Sequence, residues 1–284
     1  MEATRRKITN AFRGFESRVG LGKAGDFLKS NSLVAKAAFL ILVILAFILL
    51  LRLGTSIFTS LFSPSGTPRI INGMHNDTKT QYQYPQKPAV FGDSKTILRS
   101  VNQRDGIEFT WSVWVWISGL EYKSGQRRHI FSKGNNTVGK DSQMMTPNNA
   151  PGLYLHPTKN ALIVVMNTFD SMNEEVVVDD IPLNKWVNVM IRCEGKTLDV
   201  YINGTIAVRH MLTGVPKQNY GDVWVTANGG YDGMLSDLWY FDYALNTTEI
   251  MDIVLDGPDM TVTPAPSYPV PLYFSLRWFF NQAD

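Results

Sequence analysis

The chain has 284 residues, and its 27 Lys and Arg nearly balance its 25 Asp and Glu to leave a formal net charge of +2. With so small a basic excess, no nucleic-acid partner is expected. The single cysteine, Cys193, excludes an intrachain disulfide. We expect this thiol to pack in a core beside Ile191 rather than to act as a nucleophile.

The longest apolar run lies near the N-terminus, where residues 37–51 read AAFLILVILAFILLL. As a helix, residues 33–53 would extend roughly 31 Å, which predicts one transmembrane span. Lys36 and Arg52 lie near its two ends, where their charged heads are expected to reach lipid phosphates and water. A buried core helix and a cleaved signal peptide are the alternatives. The lack of polar residues argues against the first, and the long preceding segment argues against the second.

The charge before this run predicts its orientation. Residues 1–36 carry eight Lys or Arg against three acidic residues. The positive-inside rule therefore predicts a cytoplasmic N-terminus and a C-terminal domain on the opposite side, in a type II signal-anchor arrangement. Residues 1–32 read as a basic amphipathic segment that lies on an anionic leaflet, with a loosely ordered or partner-binding tail as the alternative. Its apolar stripe comprises Ile8, Phe12, Phe15 and Val19.

Three further segments are predicted after the span. Residues 54–88 are rich in polar and turn-forming residues and read as a stalk. Residues 89–257 form the folded domain, a usual size for one domain. Residues 258–284 begin with too many prolines for a packed element and end in the aromatic stretch LYFSLRWFF.

The domain has the patterning of strands. In Ile107–Ile117 the side chains of Phe109, Trp111, Val113, Val115 and Ile117 alternate with a second set that is also largely apolar, as in a strand of a two-sheet sandwich. Further strands are predicted at 129–133, 152–157, 161–168, 175–180, 186–194, 197–204, 222–227 and 234–242, with turn signals between them and one short helix at 247–254. This pattern predicts an all-β, two-sheet antiparallel sandwich.

Five blocks of the sequence carry a resemblance to a known family. They are FTWSVWVWI (109–117), HIFSKGN (129–135), IPLNKWVNVMIRCEGKTLDVYINGTIA (181–207), TANGGYDGMLSDLWYFDYAL (226–245) and NTTEI (246–250). In this order they resemble the laminin G-like and pentraxin-like branch of the concanavalin A-like lectin and glucanase superfamily. The resemblance implies a jelly-roll sandwich. Independently of it, Asn203-Gly204 supplies two residues that tolerate positive φ and predicts a tight hairpin turn, and Trp186 is predicted to plug the space between the sheets.

Enzymatic activity is not expected. Glycosidases of this family carry alternating acidic residues on one strand, so that two carboxylates reach one glycosidic bond. Here the pairs Glu174-Glu175 and Asp179-Asp180 are adjacent, so their members face opposite sides of a strand, and a solvated edge is predicted. The four histidines lie far apart in the sequence, and no metalloprotease or nucleophile-elbow motif is present. A divergent glycan-acting enzyme remains an alternative.

The resemblance implies a ligand site on the rim loops, where relatives bind Ca²⁺ and then a sugar or a protein. The candidate ligand-binding residues are Asn135, Asp141, Trp224, Asn228, Tyr231 and Asp232. Of these, Asp141, Asn228 and Asp232 are the candidate calcium ligands, and Trp224 or Tyr231 would stack on a pyranose ring. The alternative is that the Asn and Asp residues only form turn hydrogen bonds.

Two features concern partners outside the domain. The sequons at Asn76, Asn135, Asn203 and Asn246 are glycosylation sites if the domain enters the secretory lumen. The aromatic C-terminal stretch docks either on its own domain or on a partner or the membrane interface. Its docking residues are Tyr273, Phe274, Trp278, Phe279 and Phe280.

Two functions are consistent with these features. The first is a single-pass membrane protein that displays a non-catalytic module for recognising a glycan or a glycosylated surface. The second is a structural tether that links a membrane to a protein shell, such as capsid subunits, in the virion of a membrane-containing large DNA virus. The lone thiol and the aromatic tail favour the tether.

Overall fold

The computed structural model describes residues 32–62, 64–86 and 95–262, in two units that divide between Ser63 and Pro64. Two predictions fall on residues outside this range. They are the amphipathic stripe of the N-terminal segment and the docking residues Tyr273, Phe274, Trp278, Phe279 and Phe280.

The first unit contains one long helix, α1 (Leu33–Phe62), which covers the predicted span and continues nine residues beyond it. Ser32 begins the helix, because its Oγ accepts a hydrogen bond from the backbone N of Ala35 at 3.1 Å. The polar residues after the apolar run do not end it, since the Oγ1 of Thr59 donates to the Thr55 carbonyl at 2.9 Å. Residues Leu33–Ser60 are long and apolar enough to cross a membrane.

The second unit is an antiparallel β-sandwich. Its strands are β1 (Met74–His75), β2 (Tyr82–Tyr84), β3 (Val101–Gln103), β4 (Gly106–Ile117), β5 (Arg128–Gly134), β6 (Thr137–Val138), β7 (Met145–Thr146), β8 (Asn149–Leu155), β9 (Ala161–Met166), β10 (Glu174–Asp179), β11 (Trp186–Gly195), β12 (Thr197–Ile202), β13 (Thr205–Met211), β14 (Asp222–Val225) and β15 (Gly233–Phe241). A short helix, α2 (Thr247–Asp256), follows them.

Two sheets face each other across the core. Sheet A has the order β1-β15-β4-β11-β12-β13, with β3 also paired to the start of β4. Sheet B has the order β10-β9-β8-β5-β14-β2, and β6 and β7 form a separate hairpin. The predicted all-β antiparallel sandwich, preceded by one apolar helix, is confirmed.

The core lies between the inner faces of the two sheets, where the alternation of β4 places its apolar residues as predicted. Trp111 is 1% exposed. The centroid of its ring lies 5.5 Å from that of Phe131 in sheet B and 5.0 Å from that of Tyr240 in sheet A. Cys193 is fully buried in the same cluster, and burial raises the pKa of its thiol to about 12. Such a thiol packs as a small apolar group at neutral pH.

The segment that was predicted as a stalk differs most from the sequence analysis. Residues 54–62 belong to α1, and residues 64–86 belong to the sandwich. Ile70 and Ile71 are each 1% exposed, and their backbone N atoms donate to the Leu238 carbonyl at 2.7 and 3.1 Å. β1 then pairs with β15, and β2 pairs with β14. These strands have only two and three residues, too few to show an alternation in the sequence.

Trp186 does not plug the space between the sheets. Its neighbour Val187 enters the core, so Trp186 points to the outer face, where it meets Trp116 edge-to-face at 6.0 Å. The predicted turn at Asn203-Gly204 is present, with both residues at positive φ (49° and 79°).

The helix α2 begins at Thr247, as predicted, and ends at Asp256, two residues later than predicted. Asn246 and Glu249 cap the helix reciprocally. The backbone N of Glu249 donates to Asn246 Oδ1 at 3.0 Å, and the backbone N of Asn246 donates to Glu249 Oε2 at 2.8 Å. Ile250 packs with Met190 and Leu245 on the outer face of sheet A. The helix therefore covers only part of that face.

Candidate functional site

The uncovered part of the outer face of sheet A is shaped by a β-bulge in β15. Ser236 pairs with Trp114 and Trp239 pairs with Ser112, so three steps along β15 oppose two steps along β4. Asp237, in the bulge, has a φ of 51°, a left-handed conformation that Asp tolerates. Bulges of this kind redirect side chains and are frequent beside functional sites.

A charged network supports the bulge. The Nε of Arg69 donates to Asp237 Oδ1 at 2.7 Å, and the Nη2 of Arg69 also pairs with Asp259 at 2.9 Å. The backbone N of Asp259 donates to Asp237 Oδ2 at 2.7 Å. Asp237 is 6% exposed, so its charge is largely removed from water and is balanced by Arg69. The network joins the entry segment, the bulge and the segment after α2.

Aromatic side chains form a row beside this network. The guanidinium carbon of Arg69 lies 5.4 Å from the ring centroid of Trp239, across the bridge that pairs the two residues. The Trp239 ring also stacks with Phe241, with centroids 5.9 Å apart and an interplanar angle of 15°. Phe241 meets Tyr243 edge-to-face at 6.2 Å.

Together these residues line an open groove of about 450 Å³, which we call the sheet A groove. Its aromatic floor comes from β4 and β15, and its wall comes from the end of α2 and the segment that follows. The lining residues are Arg69, Ser112, Trp114, Asp237, Trp239, Phe241, Ile253, Asp256, Gly257, Pro258 and Asp259. A groove of this size accommodates a small ligand or one unit of a larger ligand.

The wall of the sheet A groove is acidic. The backbone N of Thr261 donates to Asp259 at 2.9 Å, and hydrogen bonds from Thr261, together with Arg69, hold the pKa of the Asp259 carboxyl below its ordinary value. Asp256 is exposed at the end of α2. Ionised carboxylates accept hydrogen bonds, and the guanidinium of Arg69 donates them. The groove can therefore hold a ligand that has an apolar face and hydroxyl edges.

The predicted ligand residues Asn228, Tyr231 and Asp232 lie in the loop between β14 and β15, and none of them lines the sheet A groove. Asn228 is exposed at a φ of 52°, and its carbonyl accepts from the Nζ of Lys123. Asp232 pairs with Lys79 at 3.0 Å. Tyr231 is fully buried and its hydroxyl donates to the Met234 carbonyl at 2.7 Å, so the structure places it in the core instead of at a stacking surface.

The other predicted ligand residues are not brought together with these. Gly134 pairs with Asp222, the first residue of β14, so Asn135 lies beyond the opposite end of the β5–β14 pair from Asn228. Asp141 is exposed in the turn between β6 and β7. Trp224 is half-buried on the outer face of sheet B, and its Nε1 donates to the Gly134 carbonyl at 3.2 Å.

Calcium binding at Asp141, Asn228 and Asp232 stays a prediction. Two ammonium groups, Lys79 and Lys123, already contact Asp232 and Asn228, and a calcium ion would have to compete with them. Across residues 32–62, 64–86 and 95–262, no three His, Cys, Asp or Glu side chains are grouped so that they could hold a metal ion.

The sequon asparagines lie at the surface. Asn76, Asn135, Asn203 and Asn246 are all exposed. Two of them also hold the fold, since the Oδ1 of Asn203 accepts from the backbone N of Asn188 at 2.9 Å and Asn246 caps α2. Their exposure leaves glycosylation as a prediction that depends on the compartment.

A buried Ser–His contact in β5 is not arranged as a nucleophile and its base. The Nδ1 of His129 accepts from the backbone N of Ala227 at 3.0 Å, so the proton resides on Nε2, which donates to Ser132 Oγ at 2.8 Å. Burial lowers the pKa of His129 to about 3. An imidazole that donates to the hydroxyl cannot also accept its proton.

The adjacent acidic residues of β10 face opposite ways, as predicted, but one of them is not solvated. Glu174 is 8% exposed and accepts hydrogen bonds from the backbone N and Oγ1 of Thr213, both at 2.8 Å, and from His210 at 2.9 Å. Glu175 is exposed and pairs with Arg127 at 2.8 Å. Glu174 therefore joins the edge of sheet B to the edge of sheet A.

The chain was compared with known families and structures. A family model for a laminin G domain of the concanavalin A-like lectin/glucanases superfamily matches residues 91–251. No curated protein matches the chain.

The solved structures that resemble the chain include three toxin domains. The receptor binding domain of botulinum neurotoxin D is 13% identical, with a TM-score of 0.45, over 67% of this chain and 48% of that chain. The binding domain of serotype G is 14% identical, with a TM-score of 0.44, over 62% and 42%. The serotype D ligand binding domain in complex with N-acetylneuraminic acid is 16% identical, with a TM-score of 0.40, over 56% and 39%. The chain spans less than half of each of these structures.

The family model, in contrast, covers more than half of the 284 residues and falls on the sandwich. The two antiparallel sheets agree with the architecture that the sequence blocks imply. The chain therefore belongs to the concanavalin A-like lectin/glucanases superfamily.

Proposed function

We propose that the chain is a non-enzymatic recognition module that is held at a membrane by α1 and binds a glycan in the sheet A groove. One observation carries this proposal: an aromatic floor and a charged wall face the same open space of about 450 Å³. A pyranose ring has an apolar C–H face and a rim of hydroxyl groups. Aromatic rings suit the first, and carboxylate and guanidinium groups suit the second.

The groove is also pre-organised. Arg69 is held by Asp237 and Asp259, and Trp239 contacts both Arg69 and Phe241. Side chains that are already ordered lose little conformational entropy when a ligand binds, so weak polar contacts contribute more fully to affinity. This rigidity favours a binding role over a surface that has only scattered aromatic residues.

Membrane anchoring is the second part of the proposal. The 28 residues Leu33–Ser60 are sufficient for a span, and Lys36 and Arg52 would bracket its apolar part. The basic N-terminal segment favours a cytoplasmic N-terminus and a sandwich on the opposite side. A cleaved signal peptide is the alternative, and the size of the mature protein in its native membrane distinguishes the two.

The tether between a membrane and a viral protein shell is the competing hypothesis, and it depends on the aromatic C-terminal segment. The test that separates the two functions uses the full chain in nanodiscs, applied to a glycan array and, separately, to proteins co-purified from the native membrane. Saturable glycan retention supports recognition. Capture of a shell protein without any glycan retention supports the tether, and turnover of a polysaccharide would contradict both.

Variants of the groove make the test specific. Trp239→Ala removes part of the floor and should abolish glycan retention, and Asp256→Asn removes one carboxylate from the wall without touching the bulge. Asp252→Asn is the matched control, because this exposed residue lies on α2 one turn earlier and does not line the groove. If Asp256→Asn and Trp239→Ala retain glycans as the control does, the sheet A groove is not the binding site.

A further inference from the structure

A second surface lies at one end of the sandwich, where three loops meet around an open groove of about 430 Å³. The loops are the β3–β4 hairpin together with the residues that lead into β3, the connection after β9 and the connection before β14. We call this surface the basic-aromatic rim and define it by Arg99, Arg104, Phe169, Lys217 and Tyr220. All of them except Lys217 line the groove, and Lys217 lies beside it, with its Nζ 5.1 Å from the ring centroid of Phe169.

Its aromatic side chains are unusually exposed. Phe169 is 70% exposed and Tyr220 is 81% exposed, at the tips of two different loops. The loops are not loose, since the backbone N of Phe169 donates to the Val215 carbonyl at 3.0 Å and the backbone N of Lys217 donates to the Asn167 carbonyl at 2.9 Å. Large aromatic groups held out to solvent on supported loops indicate an interaction surface.

The rim is also cationic. Within the described residues, no ion pair engages the side chain of Arg99, Arg104 or Lys217. Arg99 donates only to Asn102, at 3.1 Å, and Asp105 is the acidic residue in the groove. Cations without acidic partners beside exposed aromatic rings are complementary to a surface that is anionic outside and apolar beneath.

The chain enters the sandwich at the same end as the basic-aromatic rim. The backbone N of Asp242 donates to the Gly66 carbonyl at 3.1 Å, and the backbone N of Val101 donates to the Asp242 carbonyl at 2.8 Å. The entry of the chain and the β3–β4 hairpin therefore share one end of sheet A.

We propose that the basic-aromatic rim docks on the phospholipid interface of the bilayer in which α1 is anchored. Phe169 and Tyr220 enter the headgroup region, where aromatic side chains are favoured, and Arg99, Arg104 and Lys217 bind lipid phosphates. This inference rests on the proposed membrane span of α1.

The test measures membrane depth at the rim in the full chain. Tyr220→Cys is labelled with an environment-sensitive fluorophore, and Ser118→Cys is the matched control, because Ser118 is exposed next to the opposite end of β4. The native Cys193 is fully buried and does not compete for the label. Both variants are placed in nanodiscs that contain anionic lipid and a lipid-borne quencher. Docking predicts quenching and a blue shift at position 220 and neither at position 118.

Charge variants test the role of the arginines. Each basic residue near an anionic surface changes the docking equilibrium about fivefold, so Arg99→Ala with Arg104→Ala should lower the docked-to-free ratio about 25-fold. Lys185→Ala removes an exposed charge at the opposite end of the sandwich and should leave the ratio unchanged.

The outcomes separate this inference from the anchoring. If alkaline carbonate extracts the full chain from vesicles, the span fails and the docking fails with it. If the chain stays in the bilayer while positions 220 and 118 are quenched equally, anchoring holds and docking is wrong. Quenching that is strong at position 220 but insensitive to both arginines would overturn the phosphate contacts and, with them, the proposal as stated.

Discussion

The segment before the matched family region is a structural part of the sandwich, and Ile71→Ala tests this directly. Ile71 is 1% exposed and belongs to the main core cluster. Truncating such a residue removes its transfer free energy and leaves a cavity, which together lower the free energy of unfolding by about 2–5 kcal/mol. For a unit of roughly 200 residues each kcal/mol corresponds to about 2–4 °C in Tm, so the expected loss is about 4–20 °C.

The assay is thermal unfolding of the full chain in detergent, followed by near-ultraviolet circular dichroism, which reports on the buried tryptophans. Gln81→Ala is the control, since Gln81 is exposed in the same segment and its truncation should change the free energy of unfolding by less than about 0.5 kcal/mol. If Ile71→Ala shifts Tm no more than Gln81→Ala does, residues 64–86 are a stalk, and the role assigned to β1 and β2 is refuted.

Three titratable groups give further predictions. Burial raises the pKa of the Glu174 carboxyl, but hydrogen bonds from His210 and Thr213 outweigh this effect and lower it below the ordinary 4.5. The ionised Glu174 carboxylate therefore stabilises the folded state above pH 4.5, and this stabilisation is lost as the pH falls. In urea unfolding, the stability gap between the wild type and Glu174→Gln should shrink in acid, and a gap that does not change with pH would contradict these hydrogen bonds. Burial lowers the pKa of Lys133 from 10.5 to about 8, so the unfolded chain binds more protons between these values. The free energy of unfolding should rise with pH across this window, and a flat profile, equal to that of Lys133→Met, would contradict the burial of this ammonium. The Cys193 thiol, with its pKa raised to about 12, should react with maleimide at pH 8 only after unfolding, and equal rates with and without urea would refute its burial.

Much of the fold could be predicted from the sequence because the long central strands carry strong alternation. Trp111 and Cys193 face the core as the period of two requires, and Asn203-Gly204 forms the tight turn that this pair favours. The short strands could not be predicted. Ile70 and Ile71 stand among prolines, glycines and polar residues, and their burial depends on a partner, β15, that lies about 165 residues later in the sequence.

The sheet A groove was missed for a related reason. Uniform alternation along β15 places Leu235, Asp237, Trp239 and Phe241 on one face, which reads as an ordinary core face with one acidic exception. In the structure Leu235 is buried in the core, while Trp239 and Phe241 line the groove. The sequence instead predicts a ligand site at Asn135, Asp141, Asn228 and Asp232, because Asn and Asp are frequent in loops that bind ligands. The same residue types are also frequent in turns. Tyr231 illustrates the limit, because a loop position next to glycines gave no sign of its complete burial.

The bulge of β15 lets the strand hold one extra residue, Asp237, without changing which side chains face the core and which face the groove. Deleting Asp237 would remove the bulge and restore regular alternation after Ser236. Trp239 and Phe241 would still face outward and Tyr240 would still face the core, but Arg69 would lose its buried carboxylate partner. One residue therefore separates the aromatic floor from the fixed guanidinium beside it. A relative that lacks this residue would keep the floor and change the charge next to it, a difference that can be sought in related sequences before any of their structures is known.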